Sequence, residues 1–189
     1  MIKAIIFDCF GVLAEDGWLP LKRKYIGNNI ELAEKVAELG RQNEYGLLDN
    51  ETHLLAMAQE MNIDPEELRA ALGKRVPNEE LFEYIKKELK PKYKIGMMSN
   101  ANFNVLTDLF TPEQASVFDA SVMSFESKLI KPDQRMFELV AERLNVQINE
   151  CVFVDDVERY CMAAETYGAR AIYYRDFSEF LLNLKNIIG

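Results

Sequence analysis

The second half of the chain repeats one pattern, in which a short apolar segment is followed by a longer amphipathic one. The apolar segments have the length and β-branched content of buried strands, and the amphipathic ones have the spacing of helices. Strands that alternate with helices form a parallel sheet with helices on both faces, because each parallel connection has to cross over. Four strands are predicted from this pattern, at residues 93–99, 118–123, 151–154 and 169–174.

A fifth predicted strand stands apart at residues 2–7, a nearly continuous run of apolar residues. Residues 14–77 separate it from the other four, and this stretch carries helix signals only. Asp64 precedes Pro65 as the N-cap of one helix, and Gly40 is expected to end another. The sequence therefore predicts a Rossmann-like α/β core with a small all-helical insertion after the first strand.

Composition narrows the classes of function. The chain has 189 residues and a net charge of -9, which argues against a nucleic-acid surface because such a surface needs basic residues. No apolar stretch is long enough to span a bilayer, and the N-terminus lacks the features of a signal peptide. Three cysteines without metal-site spacing are typical of reduced thiols. We expect a cytoplasmic protein that binds neither nucleic acid nor membranes; the oligomeric state is not predicted.

Polar residues follow four of the predicted strands, either where the strand ends or, for Lys131, in the loop that comes next. The carboxyl ends of parallel strands share one edge of a sheet, where ligands bind in open α/β folds. We therefore expect these side chains to converge there. They are Asp8, the pair Ser99 and Asn100, Lys131, and the pair Asp155 and Asp156.

The same residues resemble a known family. An Asp-x-x-Gly-Val segment starting at Asp8, the Ser99-Asn100 pair, Lys131-Pro132 and Asp155-Asp156 match, in order and spacing, the four motifs of the haloacid dehalogenase-like (HAD) hydrolase superfamily. The resemblance extends over essentially the whole chain. It implies a phosphatase-like branch in which residues 1–13 and 78–189 form the core and residues 14–77 form a helical cap.

The resemblance also implies a metal site and a nucleophile. Asp8 would attack the substrate and carry a covalent aspartyl-phosphate. Asp8, the backbone carbonyl of Phe10 and Asp155 would hold Mg²⁺, and Asp156 would contribute by contacting one of these ligands or through a bound water. These are hard oxygen ligands of the kind that Mg²⁺ prefers.

Phosphate binding is implied for three further residues. Ser99 and the backbone of Asn100 would donate hydrogen bonds to phosphate oxygens, and Lys131 would neutralise the phosphate and the carboxylates. Phosphoryl transfer needs positioning and charge compensation of this kind. The implied activity is therefore Mg²⁺-dependent hydrolysis of small phosphorylated metabolites.

Phe10 departs from the pattern of the family. Most phosphatases of the family have a second aspartate there, which protonates the leaving group as a general acid. Phe10 cannot do this, so the proton would come from the substrate, from water, or from Glu15 or Asp16 in the segment after the first motif.

Two alternatives therefore remain open. The first is a 2-haloacid dehalogenase, because these enzymes carry an aromatic Tyr at the position of Phe10 and halide leaves without a proton. They work without Mg²⁺, their fourth motif is Ser-Asn, and Arg23 and Arg41 are the arginines that could bind halide. The second is a binding or regulatory member that has lost turnover. Arg159 and Tyr160, after the aspartate pair, are expected on a helix surface.

Overall fold

The computed structural model describes residues 1–73 and 75–189, and these ranges contain one five-stranded sheet. Its strands are β1 (Ala4–Phe7), β2 (Lys94–Ser99), β3 (Ala120–Met123), β4 (Cys151–Asp155) and β5 (Arg170–Tyr173). They pair in parallel in the order β3-β2-β1-β4-β5. All five lie within or next to the segments expected from the sequence, and the predicted α/β parallel-sheet fold is confirmed.

The chain divides into two compact units, of which one is residues 1–14 with 77–189 and the other is residues 15–76. Each limit lies one residue from the limit that the sequence suggests. The first unit contains the sheet, and the second is helical. Among the described residues, no helix combines the length and the hydropathy that a membrane crossing requires.

The helical unit is built from four α-helices in the part of the chain that the structure describes. They are α1 (Trp18–Leu21), which continues as the π-helical turn Lys22–Ile26, and α2 (Ile30–Glu44), α3 (Asn50–Met61) and α4 (Pro65–Gly73). The side chain of Asp64 accepts hydrogen bonds from the N–H groups of Glu66 and Glu67, as expected of the N-cap of α4.

The expectation that Gly40 ends a helix is wrong, because α2 runs on to Glu44. The residue that ends it in a left-handed conformation is Gly46, with φ of 74°. Gly46 N–H donates to the carbonyl of Asn43 and Leu47 N–H donates to that of Gln42, which is the Schellman arrangement. Two glycines six residues apart look alike in sequence, and only the second one satisfies these carbonyls.

Seven α-helices surround the sheet in the described part of the other unit. They are α5 (Glu79–Tyr84), which continues as the π-helical turn Ile85–Leu89, then α6 (Val105–Asp108), α7 (Pro112–Ala115), α8 (Ser124–Ser127), α9 (Gln134–Arg143), α10 (Glu158–Thr166) and α11 (Phe177–Ile188). A 3₁₀ turn at Ile148–Glu150 precedes β4.

Alternate residues of β1 enter two separate hydrophobic clusters. Ile5 and Phe7 join the cluster that includes residues of α5 and α11, and Ala4 and Ile6 join the cluster that includes residues of α9 and α10. All four are buried, so β1 is covered on both faces. Full burial of a large apolar side chain contributes about 1.5–3 kcal/mol, which holds the strand that leads to Asp8 in the middle of the core.

Candidate active site

Strands β1 and β4 are neighbours, and their ends bring two acidic residues together. Phe7 is in register with Val154, and the N–H of Asp8 donates to the carbonyl of Val154 over 2.8 Å. Asp155 is the last residue of β4. The order of the strands also reverses here, since β2 and β3 lie on one side of β1 and β4 and β5 lie on the other. Ligands of open α/β sheets bind in the crevice at such a point.

Lys131 joins these two carboxylates. Its Nζ lies 2.7 Å from Asp8 Oδ1 and 2.7 Å from Asp155 Oδ2. Lys131 is 3% exposed, Asp8 6% and Asp155 0%, so all three charges are buried. Burial alone would lower the pKa of the Lys131 ammonium, but Asp155 and Asp8 outweigh it and hold that pKa above its usual value. Lys131 is therefore a fixed cation between the two acids.

Asp8 has an unusual protonation equilibrium. The pKa of its carboxyl group is raised to about 7, chiefly by burial and less strongly by the charges of Asp155 and Asp156, while Lys131 lowers it. The main cause is the loss of solvation of the carboxylate, which Lys131 only partly offsets. An added cation would favour the ionised carboxylate, which is the form that can act as a nucleophile.

The three carboxylates form a group that fits a metal ion. Asp8, Asp155 and Asp156 each offer an oxygen within 4.8 Å of the others. A divalent cation would add positive charge to this acidic group beside that of Lys131. Carboxylate oxygens without sulfur or imidazole are the donor set of a hard cation such as Mg²⁺.

Gly11 is required by the position of Asp156. Its φ is 84°, in the left-handed region that side chains avoid, and a Cβ built there would lie 2.2 Å from Asp156 Oδ2. The glycine of the first motif therefore gives the Asp156 carboxylate its place beside the loop that follows Asp8.

The side chain of Asn100 forms two hydrogen bonds with the backbone of Lys131. Its Oδ1 accepts the Lys131 N–H over 2.7 Å, and its Nδ2 donates to the Lys131 carbonyl over 3.4 Å. The family resemblance assigns a role to the backbone of Asn100 and says nothing of this contact. No pattern in the sequence signals it, because the two residues lie on different loops of the sheet edge.

Ser99 ends β2 with a hydroxyl that has no hydrogen-bond partner among the described residues. The residue is 1% exposed, and a buried hydroxyl without a partner costs about 1–3 kcal/mol. Such a group is uncommon unless a ligand satisfies it.

Tyr160 was expected on a helix surface, and that expectation is wrong. It lies in the first turn of α10 and is 8% exposed, while its neighbour Arg159 is exposed. Its ring centroid lies 5.0 Å from Lys131 Nζ, and the ring of Phe153 lies 5.7 Å from the same atom. Periodicity alone does not show that the buried side of this helix faces a charged group.

Phe10 is partly buried, and its ring centroid lies 6.2 Å from that of Phe103. It brings no ionisable group to the loop after Asp8. Glu15 and Asp16, the candidate proton donors, belong to the helical unit. Asp16 Oδ1 accepts the N–H of Trp18 over 2.8 Å, and burial raises the pKa of this carboxyl group above its usual value.

The chain is similar in sequence to several known proteins. Phosphatase MT3486 of Mycobacterium tuberculosis (strain CDC 1551 / Oshkosh) is 26% identical over 191 residues, which cover 90% of this chain and 86% of that protein. The chain spans only 37%, 7% and 13% of the length of three other curated relatives that it matches.

Solved structures share the fold at low identity. A HAD-like family hydrolase from Porphyromonas gingivalis has a TM-score of 0.72 at 22% identity, covering 100% of this chain and 98% of that one. A HAD family enzyme from Bacteroides thetaiotaomicron, in complex with magnesium and inorganic phosphate, has a TM-score of 0.66 at 24% identity, covering 95% and 99%. A 2-haloacid dehalogenase from Pseudomonas syringae pv. Tomato DC3000 has a TM-score of 0.60 at 18% identity, covering 92% and 86%.

The family model of haloacid dehalogenase-like hydrolases matches residues 2–167, which is most of the chain and includes all four motifs. The resemblance seen in the motifs is thereby confirmed at the level of the superfamily. The chain belongs to the haloacid dehalogenase-like hydrolase family.

Proposed function

We propose that the chain is a Mg²⁺-dependent phosphatase of small phosphorylated metabolites that forms an aspartyl-phosphate on Asp8. The observation that carries this proposal is the buried arrangement of Lys131 between Asp8 and Asp155, with Asp156 in the same acidic group. The phosphatase among the curated relatives supports it, and so does the family structure that holds magnesium and phosphate.

The reaction proceeds in two displacements at phosphorus. A carboxylate oxygen of Asp8 attacks, the bond from phosphorus to the substrate oxygen breaks, and the released oxygen takes up a proton. Water then attacks the same phosphorus, gives up a proton, and the bond to Asp8 breaks, which frees inorganic phosphate. Lys131 neutralises the phosphate, and the Ser99 hydroxyl and the Asn100 N–H donate to its oxygens.

Mg²⁺ would be held by Asp8, the backbone carbonyl of Phe10 and Asp155, with Asp156 acting through a bound water. When bound, the ion would supply positive charge that keeps Asp8 ionised and screens it from an anionic substrate. The grouping of three carboxylates, whose oxygens lie within 4.8 Å of one another, supports this assignment.

Phe10 restricts the first displacement, because a poor leaving group such as an alkoxide needs a proton and Phe10 has none to give. We propose that the proton comes from water, from the substrate, or from Glu15 or Asp16. We also propose that residues 15–76 are the cap domain that selects the substrate, and that the protein acts in the cytoplasm, where its three buried cysteines would remain thiols.

Release of phosphate from p-nitrophenyl phosphate, with Mg²⁺ and with EDTA, tests the proposal. We expect turnover that requires Mg²⁺ and disappears in Asp8→Asn. Turnover that is unchanged in Asp8→Asn would refute the mechanism.

Phe10 favours one alternative function, because a halide leaves carbon without a proton. The grouped Asp155 and Asp156 carboxylates oppose it, since dehalogenases of the family use no metal. Chloride release from 2-chloropropionate without metal would support a dehalogenase. If both assays show no turnover while Mg²⁺ and phosphate still bind, the chain is a binding member of the family.

A further inference from the structure

We propose that Tyr160 is a positioning residue that holds the Lys131 ammonium in place for phosphate binding. This inference rests on the proposed function and assigns part of it to a residue outside the four motifs. Its basis is the contact between the Tyr160 ring and Lys131 Nζ, with 5.0 Å from the atom to the ring centroid.

The ammonium of Lys131 is held from two directions. Asp8 and Asp155 accept two of its N–H groups at 2.7 Å each, and the rings of Tyr160 and Phe153 lie 5.0 and 5.7 Å away. A cation within about 6 Å of an aromatic centroid is attracted by the negative face of the ring, and more strongly when water is excluded. Lys131 is 3% exposed, so the rings take the place of water around it.

This support keeps the charge of Lys131 available. Without the two rings, Asp8 and Asp155 would be the described groups that remain in contact with the Lys131 ammonium. The same ammonium also has to interact with a phosphate. An ammonium has three N–H groups, and two of them donate to Asp8 and Asp155, which leaves the third for a phosphate oxygen. An aromatic face stabilises the cation without accepting that N–H in a short hydrogen bond.

The backbone of the first turn of α10 sets the position of the Tyr160 ring. The N–H of Tyr160 donates to the carbonyl of Val157 over 2.9 Å, and Nη2 of the exposed Arg159 also donates to the Tyr160 hydroxyl over 2.9 Å. The N–H of Val157 in turn donates to Asp155 Oδ1 over 2.8 Å. The turn that begins α10 therefore orients Asp155 and Tyr160 together, and both contact Lys131.

A set of variants separates positioning from packing. Tyr160→Phe keeps the aromatic face and loses only the hydroxyl, and Tyr160→Leu keeps apolar bulk and loses the face. Tyr84→Leu is the matched control, because Tyr84 packs on Phe177 and Phe180 in the cluster on the opposite side of the sheet. The affinity for inorganic phosphate is measured by calorimetry with saturating Mg²⁺, together with kcat, KM for p-nitrophenyl phosphate, and Tm.

We expect Tyr160→Leu to weaken phosphate binding and to raise KM by about 5- to 30-fold, the range of a desolvated cation–π contact. Tyr160→Phe should stay within about twofold of the unmodified protein by the same reasoning. Tyr84→Leu should lower Tm and leave phosphate affinity unchanged.

Three results can be distinguished. The first two would overturn the role of Tyr160, and the third would overturn the proposed function. Equal phosphate affinity in the unmodified protein, Tyr160→Phe and Tyr160→Leu removes the positioning role and leaves the proposed function intact. The same holds if Tyr84→Leu loses as much affinity as Tyr160→Leu, since the effect is then one of packing. An unmodified protein that binds phosphate without any turnover overturns the proposed function alone.

Discussion

Lys131 and Asp8 form a buried ion pair in which 2.7 Å separates Lys131 Nζ from Asp8 Oδ1. Asp8 follows the central strand β1, and Lys131 lies in the segment between α8 and α9, so the contact joins distant parts of the sequence. Neither charge has bulk water to stabilise it when the partner is absent. The stability of the fold and the proposed chemistry therefore depend on the same contact.

Replacing Lys131 by Met should lower the free energy of unfolding by about 3–5 kcal/mol, because Asp8 and Asp155 would then be buried without their cation. Urea denaturation measures this change. Lys87→Met is the control, since Lys87 pairs with Glu83 on an exposed helix face and should cost less than about 1 kcal/mol. A loss below about 1 kcal/mol for Lys131→Met would contradict the buried pair.

Asp8→Asn should reduce phosphatase turnover by at least about a thousandfold, since an amide oxygen is a poor nucleophile and removal of a nucleophile abolishes covalent catalysis. Phosphate release with saturating Mg²⁺ is the measurement. Asp64→Asn is a suitable control, because Asn caps a helix as well as Asp does and Asp64 only caps α4. Retention of a tenth of the activity in Asp8→Asn would exclude Asp8 as the nucleophile.

The stability of the metal-free protein should depend on the protonation of Asp8. Burial raises the pKa of this group in the folded state to about 7, above its value of 3.8 in the unfolded chain. The folded state therefore binds the proton more tightly, and this contribution to stability is complete below pH 4 and is lost as the pH rises through 7.

Comparison of the unmodified protein with Asp8→Asn isolates this effect. The free energy of unfolding of the unmodified protein, relative to the variant, should fall by a few kcal/mol between pH 4 and pH 8 in EDTA. Because Mg²⁺ binds the ionised form, the increase in Tm on adding Mg²⁺ should be larger at pH 8 than at pH 5. If the free energy of unfolding of the unmodified protein, relative to Asp8→Asn, instead rises with pH in EDTA, then the pKa of Asp8 is lowered in the folded state.

Phe10→Asp should raise activity on alkyl phosphates relative to aryl phosphates, because a carboxyl group at this position can protonate an alkoxide leaving group. A general acid contributes about 10²–10⁴-fold, so even a partly aligned carboxyl group should give a gain of about tenfold by the same principle. The control is Phe10→Asn. Asparagine has nearly the shape of aspartate but no acidic proton, so this variant should give no gain in activity on alkyl phosphates. Equal rates for the two variants would show that another acid already serves the reaction.

Gly11→Ala should weaken Mg²⁺ binding by about 10- to 100-fold, as is usual when the surroundings of a metal ligand are disturbed. The new Cβ would displace Asp156, whose Oδ2 lies 2.2 Å from that position. Gly46→Ala provides the control, because Gly46 also has a positive φ, of 74°, and has nothing within 4 Å of the added Cβ. Both variants should lose about 1–2 kcal/mol of stability from the backbone, and calorimetry should detect a weaker metal affinity in Gly11→Ala alone.

The sheet could be predicted from the sequence because parallel strands are covered on both faces and read as continuous apolar runs. β1 and β4 are clear examples, with every residue buried. The convergence of Asp8, Lys131 and Asp155 could also be predicted, since the carboxyl ends of parallel strands share one edge. The distances between them could not, because they depend on loop geometry.

The errors have physical causes as well. Gly40 was expected to end a helix, and α2 runs on to Glu44, because Gly46 is the residue whose left-handed conformation satisfies the last carbonyls. Tyr160 was misplaced because the position of a residue on a helix face does not tell which partner that face meets. Contacts such as that of Asn100 with the Lys131 backbone leave no periodic trace in a sequence.

Because residues 15–76 are inserted after β1, Asp8 lies on one side of the insertion in the chain and the other residues of the site lie on the other side. A single proteolytic cut inside the inserted unit would leave Asp8 on the shorter fragment and Ser99, Lys131 and Asp155 on the longer one. The hydrogen bonds of β1 to β2 and β4, and the packing of β1 in the core, would then hold the two fragments together. Asp8, the proposed nucleophile, would thus lie on a different fragment from the other residues of the site. Recovery of activity from two such fragments would be a bimolecular association whose rate depends on their concentration.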